Sequence, residues 1–249
     1  MPRYSSVLFD LGGTLVYRIV SQERILRILC DEMQLPVSDA TDWKGAATMW
    51  RAYHAGHSLG CRSVPAEQAL LRTEARMVLN HLTNGHATEE LVDRLQSGIC
   101  RSSRWWGIYD DAMPLLNSLK ASGLPLAIVS NWEPSLPDFC REMGLAHLFP
   151  VLVSSMAEGI EKPSRRIFEI ALERMGASPD DCIYIGDDYR SDVIGARAAG
   201  LTPVLLDRNE RHAETDCIKV NGLDRVLDVL DGTLEAPTEP VVCVGGYSL

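Results

Sequence analysis

The sequence predicts an α/β protein in which a parallel sheet covered by helices is interrupted near its start by an all-helical insertion. Three observations carry that expectation. Short apolar runs end abruptly in polar residues, as in Val7-Leu8-Phe9 before Asp10. From Asp110 onward strand-like and helix-like segments alternate, the pattern of a parallel sheet with helical crossovers. Between these regions, from about Val20 to Trp105, apolar residues recur at helical spacing with few β-branched runs.

The elements follow in order. Tyr4 to Asp10 reads as a buried strand that delivers Asp10 at its C-terminal end, where Gly12 and Gly13 turn the chain. Within the insertion, Ile25, Leu26, Ile28 and Leu29 form one helical stripe, and Leu70, Leu71, Ala75, Val78 and Leu79 another. Leu91, Leu95 and Ile99 form a third. Met113 to Ser122 is predicted as a helix closed by Gly123, Pro125 to Ser130 as a strand, and Leu136 to Met143 as a helix closed by Gly144. Val151 to Ser154 is a further candidate strand, followed by a helix over Ser164 to Met175 stopped by Gly176. Cys182 to Gly186 and Pro203 to Leu206 are predicted strands on either side of a helix over Ser191 to Ala199, and Leu223 to Leu230 is the last helix. The segment from Gly232 carries Pro237, Pro240 and the pair Gly245, Gly246, and is expected to be a loosely held arm, or to pair Val241 to Val244 with a sheet edge.

Composition narrows the function classes. The 249 residues hold 34 acidic and 24 basic side chains, a formal charge of −10, with 46% apolar and 23% charged residues. These values are ordinary for a globular chain and argue against disorder, collagen or coiled coil. An acidic balance disfavours a nucleic-acid partner, and the Arg101 to Arg104 and Arg165, Arg166 patches are too short to reverse it. No apolar run reaches the ~18 residues of a membrane helix, and Met1 to Ser6 lacks the features of a secretory leader, so a cytoplasmic protein is expected. Seven scattered cysteines without a C-x-x-C pair suggest free thiols rather than disulfides or zinc.

In open α/β sheets ligands bind beyond the carboxyl ends of the strands. Asp10, then Ser130 and Asn131, then Asp187 and Asp188 all follow predicted strands, and Lys162 precedes a helix. A carboxylate, a hydroxyl, an ammonium and an acidic cluster are therefore expected to converge. The segments Phe9-Asp10-Leu11-Gly12-Gly13-Thr14-Leu15, Val129-Ser130-Asn131, Glu161-Lys162-Pro163 and Gly186-Asp187-Asp188-Tyr189-Arg190-Ser191-Asp192 resemble the four ordered motifs of the haloacid dehalogenase-like superfamily. The insertion resembles the helical cap of its subfamily with phosphoglycolate phosphatase-like enzymes and 2-haloacid dehalogenases.

The resemblance implies a Rossmann-like core at 1–17 and 107–232, a helical cap at 18–106 and a C-terminal arm at 233–249. It further implies that Asp10 is the nucleophile, forming an aspartyl-phosphate. Ser130 and Lys162 would assist catalysis, and Thr14, Ser130, Asn131 and Lys162 would bind phosphate, since phosphoryl transfer rests on positioning and electrostatics. Asp10, the carbonyl of Gly12, Asp187 and Asp192 would hold Mg²⁺. Asp188 is either a supporting or a purely structural residue. The implied partner is a small phosphorylated metabolite, handled by a monomer or homodimer.

Gly12 departs from the pattern. Most phosphatases of the family carry a second aspartate there, which protonates the leaving group and activates water, help worth ~10² to 10⁴-fold. Three readings follow: a Mg²⁺-dependent phosphatase without that acid, a metal-independent dehalogenase, or a binding or scaffold protein whose chemistry has lapsed. The retained acidic cluster favours the first, and Gly12→Asp is expected to raise its turnover. His54 and His57 stand i, i+3, but Gly56 argues against a helix there and a shared metal is not favoured. Trp105 and Trp106 are expected to serve hinge or core packing rather than as a ligand platform, with the hinges near Tyr17 to Val20 and Trp105 to Ile108. Trp132 either walls the pocket or simply packs. Tyr17 is the one residue beside the insertion singled out for substrate contact.

Overall fold

The computed structural model describes residues 4–38, 41–100 and 102–236. Strand β1 (Ser6–Phe9) is buried along its whole length. It leads through the Gly12-Gly13 loop to β2 (Val16–Arg18), then to helices α1 (Gln22–Glu32), α2 (Trp43–His57), α3 (Val64–Leu82) and α4 (Glu89–Cys100). Strand β3 (Trp106–Ile108) returns antiparallel to β2. Thereafter the chain alternates: α5 (Ala112–Ala121), β4 (Leu126–Ser130), α6 (Leu136–Glu142), β5 (Val151–Ser154), α7 (Ser155–Glu158) and α8 (Arg165–Met175). It continues through β6 (Cys182–Gly186), a π-helical turn (Tyr189–Ile194), α9 (Gly195–Ala198), β7 (Thr202–Leu206), β8 (Ile218–Val220) and α10 (Val226–Leu230).

Six of the strands form one parallel sheet in the order β5-β4-β1-β6-β7-β8. Its side chains alternate between two cores, as the two-residue period of a strand requires. Val7 and Phe9 face a cluster with Leu115, Leu116 and Phe139, whereas Leu8 faces one with Phe168 and Tyr184. Burial on both faces explains why these strands read as continuous apolar runs. The four insertion helices build a third core of their own, around Ile25, Leu29, Trp43, Leu79 and Leu95.

Several elements differ from expectation. The two predicted hinges are the paired strands β2 and β3, and a side chain at Gly107 would meet the Tyr17 ring at 2.6 Å. Strand β8 carries too short an apolar run, Ile218–Val220, to be read in advance. The helix expected over Ser191 to Ala199 is a π-helical turn followed by a short α9, because both carboxylates of Asp188 and Asp192 are drawn into hydrogen bonds around the turn. Helix α2 runs straight through Gly56 to His57, contrary to expectation. A single exposed glycine costs only about 1 kcal/mol, which the packing of Trp43, Ala46, Ala47 and Trp50 outweighs. His57 stacks on Tyr53 and bonds the Tyr53 carbonyl, so the two histidines share no ligand.

The six described cysteines are free, and burial pushes the thiols of Cys30 and Cys140 up to about 12. Cys243, Pro237, Pro240, Val241 to Val244, Gly245 and Gly246 of the expected arm, with Met1 to Arg3 and Arg101, lie outside the described residues. Among the described residues no helix is long and apolar enough to cross a membrane.

Polar contacts tie the insertion to the loop after β4. Glu67 of α3 accepts from the backbone N (2.9 Å) and Oγ (2.6 Å) of Ser135. His54 of α2 lies 2.9 Å from Glu74 through Nδ1 and 3.5 Å from Glu133 through Nε2. Glu74, fully buried, also accepts from Trp50 Nε1 at 2.8 Å. Glu133 and Glu74 together raise the His54 pKa from 6.5 to about 10. A pKa raised by folding contributes stability that is complete below the unfolded value and lost as pH rises through the folded one. The urea midpoint of wild type is therefore expected to exceed that of His54→Gln most below pH 6.5, with the difference closing as pH approaches about 10.

Candidate active site

Because β1 is hydrogen-bonded to β4 on one side and β6 on the other, the residues at the ends of these three strands are neighbours. Asp10 follows β1, Ser130 ends β4, and Asp187 follows β6. Ser130 Oγ donates to Asp10 Oδ1 at 2.8 Å. Lys162 reaches in from the loop before α8, and its Nζ donates to Asp10 Oδ1 (2.6 Å), Asp192 Oδ1 (2.7 Å) and Tyr184 Oη (3.0 Å). Asp10, Ser130, Lys162 and Asp192 are all buried.

Electrostatics at the centre are dominated by three carboxylates around one ammonium. Burial opposes the Lys162 charge, but Asp10 and Asp192 outweigh it and hold the ammonium protonated above its ordinary range. Burial, with Asp10 and Asp192, pushes the Asp187 carboxyl up to about 6. Burial raises Asp192 as well, against the pull of Lys162. Oxygens of Asp10, Asp187 and Asp192 lie within 4.8 Å of one another. An all-oxygen set carrying surplus negative charge suits a hard divalent cation.

Two glycines make this crowding possible. Gly13 has φ +84°, and a side chain there would run into the Asp187 carboxylate. A side chain at Gly186 would collide with the Asp192 carboxyl.

The remaining expected residues occupy distinct places. Asn131 spends its side-chain amide on the backbone of Lys162, accepting from its N at 2.8 Å and donating to its carbonyl at 3.3 Å. The side chain thereby fixes the lysine loop. Thr14 is fully buried, and its hydroxyl has no partner among the described residues. Asp188 Oδ1 accepts from Ser191 N (2.7 Å) and Oγ (2.9 Å), capping the turn that follows. Asp192 Oδ2 accepts from Asp188 N at 3.0 Å, so both its oxygens are engaged. Tyr17 is 41% exposed and packs on Tyr109.

Tyr184 was not anticipated. Its phenol sits on Lys162 and donates to the Val129 carbonyl at 2.9 Å. A tyrosine inside a fully buried strand needs a partner for its hydroxyl, the signal that points to such a role. His54, Glu67, Glu74 and Glu133 were equally unforeseen, since surface-type residues far apart in sequence give no sign of meeting.

Trp132 does both jobs considered for it. It packs against Phe139 at 4.8 Å and Trp106 at 5.0 Å between ring centroids, and it stands over Gly12. A Cβ at residue 12 would lie 3.3 Å from Trp132 Cζ3 and 3.8 Å from Trp106 Cη2. A Cβ there would require Trp132 to give by a few tenths of an ångström and would meet Trp106 at ordinary contact distance.

A buried carboxylate at the end of a central parallel strand, flanked by a hydroxyl, a lysine and an acidic cluster, is the arrangement of a class of hydrolase centre. The chain belongs to the haloacid dehalogenase-like hydrolases, whose family model matches residues 4–200. It is 30% identical over 222 residues to the phosphoserine phosphatase of Thermus thermophilus, covering 85% of this chain and 84% of that one. It is 36% identical over 115 residues to the glyceraldehyde 3-phosphate phosphatase of Methanothermobacter thermautotrophicus, a match spanning 44% of this chain and about half (49%) of that relative. Among solved structures, a 2-haloacid dehalogenase from Pseudomonas syringae superposes with TM-score 0.66 at 20% identity, over 91% of this chain and 98% of that one. A phosphatase from Thermococcus onnurineus gives 0.61 at 22%, over 92% and 98%.

The contact at residue 12 is testable. Gly12→Ala is expected to destabilise the wild type by about 1 kcal/mol through overpacking, and to cost nothing in a Trp132→Leu background. A double-mutant cycle of urea unfolding checks this, and additive effects would mean that the indole does not feel residue 12.

Proposed function

We propose that this chain is a Mg²⁺-dependent phosphohydrolase acting on a small phosphorylated metabolite through an aspartyl-phosphate on Asp10. The observation that carries the reading is the acidic cluster of Asp10, Asp187 and Asp192 set around the buried nucleophile and Lys162. A carboxylate attacking carbon has no use for two further carboxylates beside it, whereas attack on a phosphate dianion needs a cation to suppress repulsion. The phosphatase names of the relatives at 30% and 36% identity point the same way.

Asp10, the Gly12 carbonyl and Asp187 would hold the Mg²⁺, with Asp192 adding its charge while it anchors Lys162. When bound, the ion neutralises charge on the phosphoryl oxygens. Asp10 Oδ1 is tied to Ser130 and Lys162, which orients the carboxylate so that its other oxygen attacks phosphorus. As that bond forms, the ester P–O bond breaks and the departing alcohol takes up a proton. Water then attacks the acyl phosphate, releasing inorganic phosphate and restoring the Asp10 carboxylate. Ser130 and Lys162 stabilise the transferring group by hydrogen bonding and charge.

Residue 12 supplies no proton, so the alcohol draws it from solvent or from itself, and good leaving groups are favoured. Gly12→Asp raises turnover only where Trp132 gives way. The core at 1–17 and 107–232 carries the chemistry, the helical unit at 18–106 acts as the cap, and 233–249 forms an appended arm. A cytoplasmic monomer or homodimer without nucleic-acid or membrane partners completes the reading.

Phosphate release from an aryl phosphate tests it. Turnover is expected to require Mg²⁺ and to fall at least ~10³-fold in Asp10→Asn, about 4 kcal/mol of transition-state stabilisation. Metal-independent halide release from a 2-haloacid, with no phosphate release, would establish the dehalogenase reading instead.

A further inference from the structure

Residues 207–212, the loop after β7, are anchored at both ends. Asp207, 2% exposed, accepts from the backbone N of Arg211 (2.9 Å) and of His212 (2.8 Å), and its carboxylate lies 3.3 Å from His212 Nδ1. Lys219 Nζ donates to the His212 carbonyl at 2.5 Å. Between these anchors Glu210 takes a left-handed φ of +51°, a conformation that L-residues hold where the surroundings enforce it. Two arginines of this loop reach the centre. Arg208 donates to both oxygens of Asp111 (2.8 and 2.9 Å) and to the carbonyl of Thr14 (3.1 Å), in the loop that follows Asp10. Arg211 meets Asp187, its Nη2 lying 3.6 Å from Oδ2 and donating to the backbone carbonyl at 3.4 Å.

We propose that Arg211 is a further phosphate-binding residue, which gives up Asp187 to a divalent cation and turns to the phosphoryl group; this rests on the phosphohydrolase reading above. Within the cluster, Lys162 pairs with Asp10 and Asp192, whereas among the described residues Asp187 pairs with Arg211 alone. That pair is easily surrendered. It joins a guanidinium 56% exposed to a carboxylate 3.6 Å away, and solvent-facing pairs of this kind contribute little. A divalent cation in the cluster cancels the charge that draws Arg211 and repels the guanidinium, while a phosphate dianion beside it attracts the same group. The distances allow the transfer. Oxygens of Asp10 and Asp187 lie within 4.8 Å of one another, so a phosphoryl group on Asp10 is within the sweep of a side chain that already meets Asp187. Because the loop is held through the backbone N–H groups of residues 211 and 212, the arginine side chain swings without moving its anchor. Its planar fork matches two phosphate oxygens at once, a geometry that the point charge of Lys162, already committed to two carboxylates, does not offer.

Two calorimetric titrations of the full chain test this on wild type, Arg211→Gln and Arg211→Lys, at about pH 8, where an Asp187 carboxyl pushed up to about 6 is ionised. In the first, Mg²⁺ is titrated without phosphate. Arg211→Gln is expected to bind it about threefold to tenfold more tightly, because the repulsion between the two cations is gone. In the second, inorganic phosphate is titrated into protein saturated with Mg²⁺. Arg211→Gln is expected to bind it about tenfold more weakly, and Arg211→Lys, which keeps the charge without the fork, to fall between. The two shifts have opposite signs, which a merely structural role does not produce, since a distorted centre binds both ligands more weakly. Tighter Mg²⁺ together with weaker phosphate supports the assignment. Unchanged affinity for either ligand, or both weakened together, overturns it. If wild type binds Mg²⁺ and releases phosphate from an aryl phosphate while Arg211→Gln behaves identically, the phosphohydrolase reading stands without Arg211. A wild type that binds neither ligand and releases no phosphate defeats both.

Discussion

The contact on which the rest of the structure depends is the ammonium of Lys162, held 2.6 Å from Asp10 and 2.7 Å from Asp192 in the interior. Burying these groups costs several kcal/mol per ion, and only mutual attraction with full hydrogen bonding offsets that cost. Each neighbour serves the arrangement. Tyr184 accepts one Lys162 hydrogen bond, Ser130 shares the Asp10 oxygen, Asn131 grips the lysine backbone, and Asp188 fixes the turn that presents Asp192. The departure from α-helix over Tyr189–Ile194 belongs to the same demand, because it lets Asp192 reach back toward both Asp188 N and Lys162.

Placing this network needs the strand order. In a parallel sheet every carboxyl end opens on the same edge, so two strands flanking a third bring three loops into contact. With β4 and β6 on either side of β1, Asp10, Ser130 and Asp187 meet without any long connection. Backbone clearance at Gly13 and Gly186 then lets carboxylates pack where any side chain would intrude. The centre is built from repulsive parts, and its geometry is tolerable because a lysine and a divalent cation both suit it.

Position 12 links that centre to the helical unit. Two indoles, one from the loop after β4 and one from β3, stand within 4 Å of where a Cβ at residue 12 would lie. The same indoles close one end of a tryptophan-lined cavity, whose other walls come from the insertion. Hydrogen bonds from Ser135 to Glu67 and the His54 bridge to Glu133 hold the two units together across it. Indoles rather than a side chain at residue 12 therefore border this side of the centre.

Local pattern made much of this legible. Two-sided burial produces unbroken apolar strands, glycine stops helices, and the polar residue that follows each strand is visible without any coordinates, so Asp10, Ser130, Lys162 and Asp187 stood out at once. Chain-local information misled where a distant partner prevailed. Gly56 reads as a helix breaker until Trp43 and Trp50 are seen buried against α3. Other features had no local trace. The meeting of His54 with Glu133, of Glu67 with Ser135, and of four tryptophans around one cavity joins residues tens of positions apart. By itself the sequence determined most of the core elements, the polar residues at the strand ends and the family, because those depend on periodicity and on motifs a few residues long. Only the tertiary structure decided what surrounds residue 12, how the charges are shared and what lines the cavity, because those depend on distances between side chains that the chain brings together from far along its length.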